Sequence, residues 1–181
     1  MKRICVFCGS RPGADPIYAD AAAATGRAIA TAGAGVIFGG GSVGLMSVVA
    51  NAALDAGGEV TGIIPKFLIE KEHLHPRVTD MRIVDTMHER KALMAKLADA
   101  FIALPGGFGT IEEIFEMLTW TQLKIHIKPC GFLNVNNYYT PMIAFLEHAV
   151  SEGFVAAEHR ANIVTETDPE RMVGRMLQSV R

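Results

Sequence analysis

The sequence predicts an α/β fold: a Rossmann-like, doubly wound parallel sheet with helices on both faces, in a single domain spanning residues 1–181. Three observations lead there. Short apolar runs alternate with helical patterns along the chain, three of those runs end in glycine-rich turns, and 181 residues, 50% of them hydrophobic, suffice for one well-filled core. Strands separated by helices of this length require right-handed crossovers, so the sheet is parallel and covered on both sides.

The elements follow in order. Arg3–Cys8 is an apolar strand that runs into the turn Gly9-Ser10-Arg11-Pro12-Gly13. Asp15–Ala32 is an alanine-rich helix, and its Asp20 and Arg27 argue against a membrane span. Gly35–Phe38 is the second strand, ending in Gly39-Gly40-Gly41-Ser42-Val43-Gly44 before the helix Leu45–Ala56. Val60–Ile64 is the third strand, and Pro65–Val78 reads as one long irregular link carrying Lys66, Lys71, Glu72, His73 and His75. Strand Met81–Val84, helix Met87–Leu97 and strand Ala100–Leu104 lead to the third glycine turn, Gly106-Gly107-Phe108-Gly109. Helix Ile111–Lys124, strand Gly131–Val135, helix Pro141–Glu152, strand Asn162–Val164 and helix Pro169–Val180 complete the pattern. No repeat, low-complexity tract or Pro/Ser-rich linker marks a second domain.

Composition excludes several classes of function. A net charge of −2, from 17 basic and 19 acidic residues, provides no basic footprint for nucleic acid. The opening Met1-Lys2-Arg3-Ile4-Cys5-Val6-Phe7-Cys8 has too short an apolar run for a signal peptide, and no stretch has the length of a membrane span. Three cysteines, an odd number, suit a reduced cytoplasmic protein better than a disulfide scaffold. The expectation is a soluble, cytoplasmic chain without nucleic-acid or membrane partners.

In an open parallel sheet the three glycine turns lie along one edge, where ligands bind at the switch in strand order. The turn at Gly106–Gly109 is the most informative. Its glycines let main-chain N–H groups approach a ligand, and the helix it opens adds partial positive charge, a combination suited to phosphate. Glu112 and Glu113 follow at once. Thr110 and Glu113 also have capping-box spacing, which would account for the acids without chemistry. Gly39–Gly44 satisfies G-x-G-x-x-G, yet it follows the second strand, and no acid at the end of the next strand awaits a ribose. In Met87-His88-Glu89-Arg90-Lys91, Arg90 falls on the apolar face of Met87, Met94 and Leu97. Such a guanidinium either snorkels to a salt bridge or awaits an anionic ligand. Lys91, next around the helix, either shares that ligand or faces water. Cys5 and Cys8 are three apart on a strand and point to opposite faces, so they form neither a redox pair nor a metal pair. His73 and His75 lack companions, and no other motif supplies a metal site, so neither a metal nor an organic cofactor is expected.

Together these motifs resemble the LOG ("Lonely guy") family of cytokinin riboside 5′-monophosphate phosphoribohydrolases, often mislabelled lysine decarboxylases. The resemblance rests on Cys5–Ser10, Gly39–Met46, Met87–Lys91 and Pro105–Glu113, with Trp120 and Phe132–Val135 besides, and runs from Arg3 to about Val164. It implies release of the base from a nucleoside 5′-monophosphate, leaving ribose 5-phosphate. It also implies Arg90 and Glu113 as the catalytic pair. Gly107, Phe108, Gly109 and Thr110 would hold the phosphate, with Glu72, Met87, Lys91, Gly106, Glu112 and Thr119 lining the nucleotide site. Family members are commonly homodimers with the site near the subunit contact. Phe108 stands where tyrosine is frequent, Ser47 where glycine is usual, and Arg11 where a small polar residue is common.

The resemblance leaves alternatives. A general AMP nucleosidase would use the same pair. A non-catalytic nucleotide or cofactor carrier would keep the glycine turns without needing Arg90 and Glu113 together. A pyridoxal-phosphate lysine decarboxylase would require a Schiff-base lysine that no motif supplies.

Overall fold

The computed structural model describes residues 1–180. All seven expected strands are present in one parallel sheet: β1 Arg3–Phe7, β2 Gly35–Phe38, β3 Val60–Pro65, β4 Asp80–Val84, β5 Ala100–Ala103, β6 Cys130–Leu133 and β7 Ile163–Glu166, in the spatial order β4-β3-β2-β1-β5-β6-β7. The order reverses between β1 and β5. That reversal opens the crevice in which doubly wound sheets bind their ligands.

Six long helices cover the sheet in two layers. α1 Ile17–Thr31, α2 Gly44–Asp55 and α8 Pro169–Ser179 pack on one face, around Ile4, Val6, Phe38, Val49, Ile102 and Met176. α4 Met87–Leu97, α5 Phe108–Gln122 and α6 Thr140–Ser151 pack on the other, around Phe7, Ile37, Phe101, Met117 and Phe132. Cys5 belongs to the second core and Cys8 to the first, as strand alternation requires.

Two short helices were not expected. α3 Ile69–Glu72, preceded by a 3₁₀ turn at Lys66–Leu68, lies within the stretch read as irregular, and α7 Ala157–Ala161 lies before β7. Both are too short for apolar periodicity to mark them. The larger correction concerns the capping box. α5 begins at Phe108, with Gly107 as its N-cap and no side-chain cap, so Thr110 sits inside the first turn. The glycines before Thr110, poor helix formers, hid that extra turn. Glu113 therefore has no capping role.

The chain forms these turns because glycine permits contacts that any side chain would block. A Cβ on Gly106 would lie 2.2 Å from Thr110 Oγ1 and 2.8 Å from the Gly9 nitrogen. The Gly9 amide donates to the Pro105 carbonyl (3.1 Å), and the Leu45 amide donates to the Gly9 carbonyl (3.0 Å). The three glycine turns are thus interlocked. Tyr139 and Tyr138 anchor the third from behind, their hydroxyls donating to the carbonyls of Leu104 (2.7 Å) and Gly106 (2.6 Å).

Candidate active site

α5 leaves the crevice with its first turn open to solvent: Gly107, Phe108 and Gly109 are exposed, and Phe108 is 96% exposed. The Ile111 amide closes the first helical hydrogen bond, on Gly107 (3.1 Å), so the amides of Phe108, Gly109 and Thr110 project from the helix end. Thr110 is buried behind them. Free amides at a helix start of this kind can cradle an anion on bare main chain.

One turn further along α5, Glu113 is buried. Burial pushes its carboxyl up to about 7; the Arg90 guanidinium opposes that shift, whereas Glu112 and Glu72 add to it. Arg90, on α4, is also buried. Its Nη2 donates to the Gly39 carbonyl (3.1 Å), and its Nη1 lies 3.8 Å from Met87 Sδ. Its Nε is buried without a partner, and no ion pair engages it among the described residues. The acid and the guanidinium thus influence each other's charge without forming an ion pair. Of the two readings left open for Arg90, snorkelling is excluded by its burial.

Gly39–Gly44 forms a socket for side chains of the crevice. A Cβ on Gly39 would lie 2.1 Å from Arg90 Nη2, so glycine there makes space for the guanidinium. A Cβ on Gly41 would lie 3.2 Å from Glu72 Oε2, which is buried with no hydrogen-bond partner. Glu72 reaches the crevice because its segment is stitched to the same turn. The Ser42 amide donates to the carbonyls of Glu72 and His73, both at 3.0 Å, and the His75 amide donates to Gly40 (3.0 Å). His75 is packed edge-on against Phe38, its Nδ1 accepting from the Arg77 amide (3.4 Å). Sequence reasoning singled out Gly39–Gly44 as a glycine turn at the ligand edge, but not the space that Gly39 and Gly41 leave for Arg90 and Glu72.

Lys91 neither faces water nor stands free for a ligand. It is buried and paired with Glu112 and with Glu116 (3.2 Å to Oε2), tying α4 to α5 beside the Arg90–Glu113 gap. Burial alone would lower its pKa, but the two carboxylates outweigh burial and raise it. Glu112 is exposed on the outer side of this clamp. The structure thus brings together Glu72, Met87, Arg90, Lys91, Glu112, Glu113 and the turn Gly106–Thr110. Thr119 stands apart: it lies six residues beyond Glu113, about 9 Å along the helix, exposed, with its hydroxyl donating to the Phe115 carbonyl (2.8 Å). It lines a separate hollow of about 600 Å³ with Leu118, Lys128 and His159. The thiols are not nucleophiles here, since burial pushes all three upward, Cys130 to about 12.

Known proteins resemble this chain in sequence and in fold. The family sequence model described as "Possible lysine decarboxylase" matches residues 46–176. The cytokinin riboside 5′-monophosphate phosphoribohydrolase LOG of rice (Oryza sativa subsp. japonica) is 47% identical over 180 residues, 99% of this chain and 74% of the rice protein. This chain belongs to the LOG family. A LOG relative from Rhodococcoides fascians, named cytokinin riboside 5′-monophosphate phosphoribohydrolase, is 49% identical over 170 residues, covering 93% of this chain and 86% of its own length. LOG3 of Arabidopsis thaliana, of the same name, is 47% identical over 176 residues (97% of this chain, 82% of LOG3). Among solved structures, the molybdenum cofactor binding protein of Rippkaea orientalis superposes with a TM-score of 0.75 at 22% identity, covering 100% of this chain and 99% of that one. The molybdenum cofactor carrier protein of Chlamydomonas reinhardtii gives 0.74 at 19%, covering 98% and 97%. These two share the LOG fold. The family description as a decarboxylase finds no support in Lys91: a Schiff-base lysine needs a neutral amine, and Lys91 is held charged by two carboxylates.

Proposed function

We propose that this LOG-family chain hydrolyses the N-glycosidic bond of cytokinin riboside 5′-monophosphates, that is, N6-substituted AMP, releasing the free base and ribose 5-phosphate. The observation that carries the reading is Glu113: a buried carboxyl near neutrality, set between a main-chain anion cradle and an unpaired buried guanidinium. Family membership at nearly half identity over almost the whole chain supports the same chemistry.

The 5′-phosphate sits on the amides of Gly107, Phe108, Gly109 and Thr110, and its binding energy positions the sugar. As the bond from C1′ to the base nitrogen breaks, its electron pair leaves with the base and positive charge develops on the ribose. Ionised Glu113 stabilises that charge and accepts a proton from the water that adds to C1′. The departing base nitrogen takes up a proton, so that one proton overall passes from water to base and Glu113 returns to its ionised form. Arg90 steadies the nucleotide and eases departure of the base. Glu72, whose free oxygen lies in the crevice, accepts from a ribose hydroxyl, and Met87 offers an apolar surface to the base. Lys91 and Glu112 hold α4 and α5 in register. Water is the only co-reactant.

We place the enzyme in the cytoplasm as a homodimer. The apolar residues left exposed at the end of α5 and beyond it, Leu123, Ile125 and Ile127, are available for a subunit contact, and Thr119 on the same stretch would enter a site completed there. No helix among the described residues is long and apolar enough to cross a membrane.

Incubation with a panel of nucleoside 5′-monophosphates, with chromatography of the free base, tests the proposal. Isopentenyladenosine monophosphate is expected to release its base faster than AMP, and isopentenyladenosine without phosphate to be slower by at least about 10²-fold, the loss of a charge-assisted anchor. Preferred turnover of AMP would instead favour the general nucleosidase, and nucleotide binding without base release the carrier.

A further inference from the structure

The phosphate end of the crevice is short of positive charge. Of the two buried cations near it, Lys91 is neutralised by Glu112 and Glu116, and Arg90, held on the Gly39 carbonyl, sets its charge against Glu113. Glu72 and Glu113 add negative charge to the same crevice. A 5′-phosphate brings roughly −1.5 to −2 charges at neutral pH, against about half a positive charge from a helix start. The cradle alone leaves that anion undercompensated.

Arg11 is placed to supply the difference. It lies in the turn after β1, the hydrogen-bonded neighbour of β5, so its strand is about 4.8 Å from the one that feeds the cradle. Its backbone and the cradle's own turn flank Gly9: a Cβ on Gly9 would lie 3.1 Å from the Arg11 carbonyl oxygen, 3.3 Å from Gly106 Cα and 3.4 Å from the Pro105 carbonyl oxygen. Arg11 is exposed, and among the described residues its side chain enters no ion pair or hydrogen bond. A guanidinium forks onto two phosphate oxygens at once, and its flexible stem lets it cross an adjoining turn.

We infer that Arg11 folds over the 5′-phosphate at the start of α5 and sets how strongly this chain distinguishes phosphorylated from unphosphorylated ligands. The inference rests on the reading of the site given under Proposed function and adds a specificity-determining residue to it.

The test measures both binding and turnover for wild type, Arg11→Ala, Arg11→Lys and Arg11→Glu, at about 20 and 300 mM salt. Binding is read by calorimetry with ribose 5-phosphate against ribose, neither of which can be cleaved. Arg11→Ala is expected to weaken ribose 5-phosphate about tenfold at low salt and to raise KM for the nucleotide similarly, with kcat changing much less. Arg11→Glu weakens both further, and Arg11→Lys recovers part of the loss. Wild-type affinity falls with salt, and that of Arg11→Ala falls less. If Arg11→Ala and Arg11→Glu keep wild-type affinity and salt dependence, the inference is overturned even where base release proceeds as proposed. If wild type releases no base while Arg11 still governs ribose 5-phosphate binding, the enzymatic reading fails and the phosphate role of Arg11 stands.

Discussion

Glu113→Gln is expected to lower base release by about 10²- to 10⁴-fold, the usual worth of a positioned acid or base together with local charge stabilisation. Glutamine keeps the shape and loses the charge. In wild type the working form is the carboxylate, and burial lifts its pKa to about 7. The acid limb of kcat/KM should therefore rise with pH and level off above roughly neutral, an inflection that the variant's residual activity lacks. Stability runs the other way. The folded state holds the Glu113 proton up to about 7, whereas an ordinary carboxyl loses it near 4.5. Between those values the native state binds more protons than the unfolded one. The stability that Glu113 contributes is thus complete below pH 4.5 and lost as pH rises to 7. At pH 8 glutamine relieves the cost of a buried charge, so melting temperature is unchanged or a few degrees higher. A variant that melts earlier and still turns over would return Glu113 to a structural role.

The second large effect comes from a residue that carries no functional group. Gly39→Ala places a methyl 2.1 Å from Arg90 Nη2 and 3.0 Å from Met46 Sδ. Gly39 does not use the left-handed backbone region, so alanine itself fits the chain, and the flexible end of Arg90 is what must yield. The guanidinium leaves its socket on the Gly39 carbonyl. Turnover is expected to fall about 10²-fold or more, approaching that of Arg90→Ala, because transition-state contacts depend on placement to within an ångström. The double variant separates this from general damage. Once Arg90 is alanine, adding Gly39→Ala should cost little further activity, the non-additivity expected of two changes that remove one interaction. Additive losses would mean that Gly39 acts through something other than Arg90.

The two layers of the molecule were legible in unequal measure. Alternation of apolar runs and helical patterns placed every strand of the sheet, because buried parallel strands such as Val36–Phe38 and Phe101–Ala103 are apolar on both faces and read without ambiguity. Arg90 was also within reach, as a charged residue on an apolar helix face, and Glu113 as an acid directly after a glycine turn suited to phosphate. What local pattern missed were contacts between distant segments. The capping-box reading of Thr110 and Glu113 failed because helix α5 starts three residues before the predicted Ile111, at glycines that propensity counts against a helix. The partners of Lys91, more than 20 positions away on α5, and the fit of Gly39 against Arg90 at a separation of 51 residues depend on how α4 and α5 dock on the sheet. Spacing along one helix cannot report such contacts.

The central claim is an acid beside the sugar of a nucleotide whose phosphate rests on bare main chain. A crystal structure of Glu113→Gln soaked with isopentenyladenosine monophosphate tests it directly, since the variant should hold the nucleotide uncleaved. The account predicts phosphate oxygens within hydrogen-bonding distance of the amides of Gly107 to Thr110, with residue 113 against C1′ of the ribose. A phosphate bound elsewhere, or residue 113 turned away from the sugar, would contradict it.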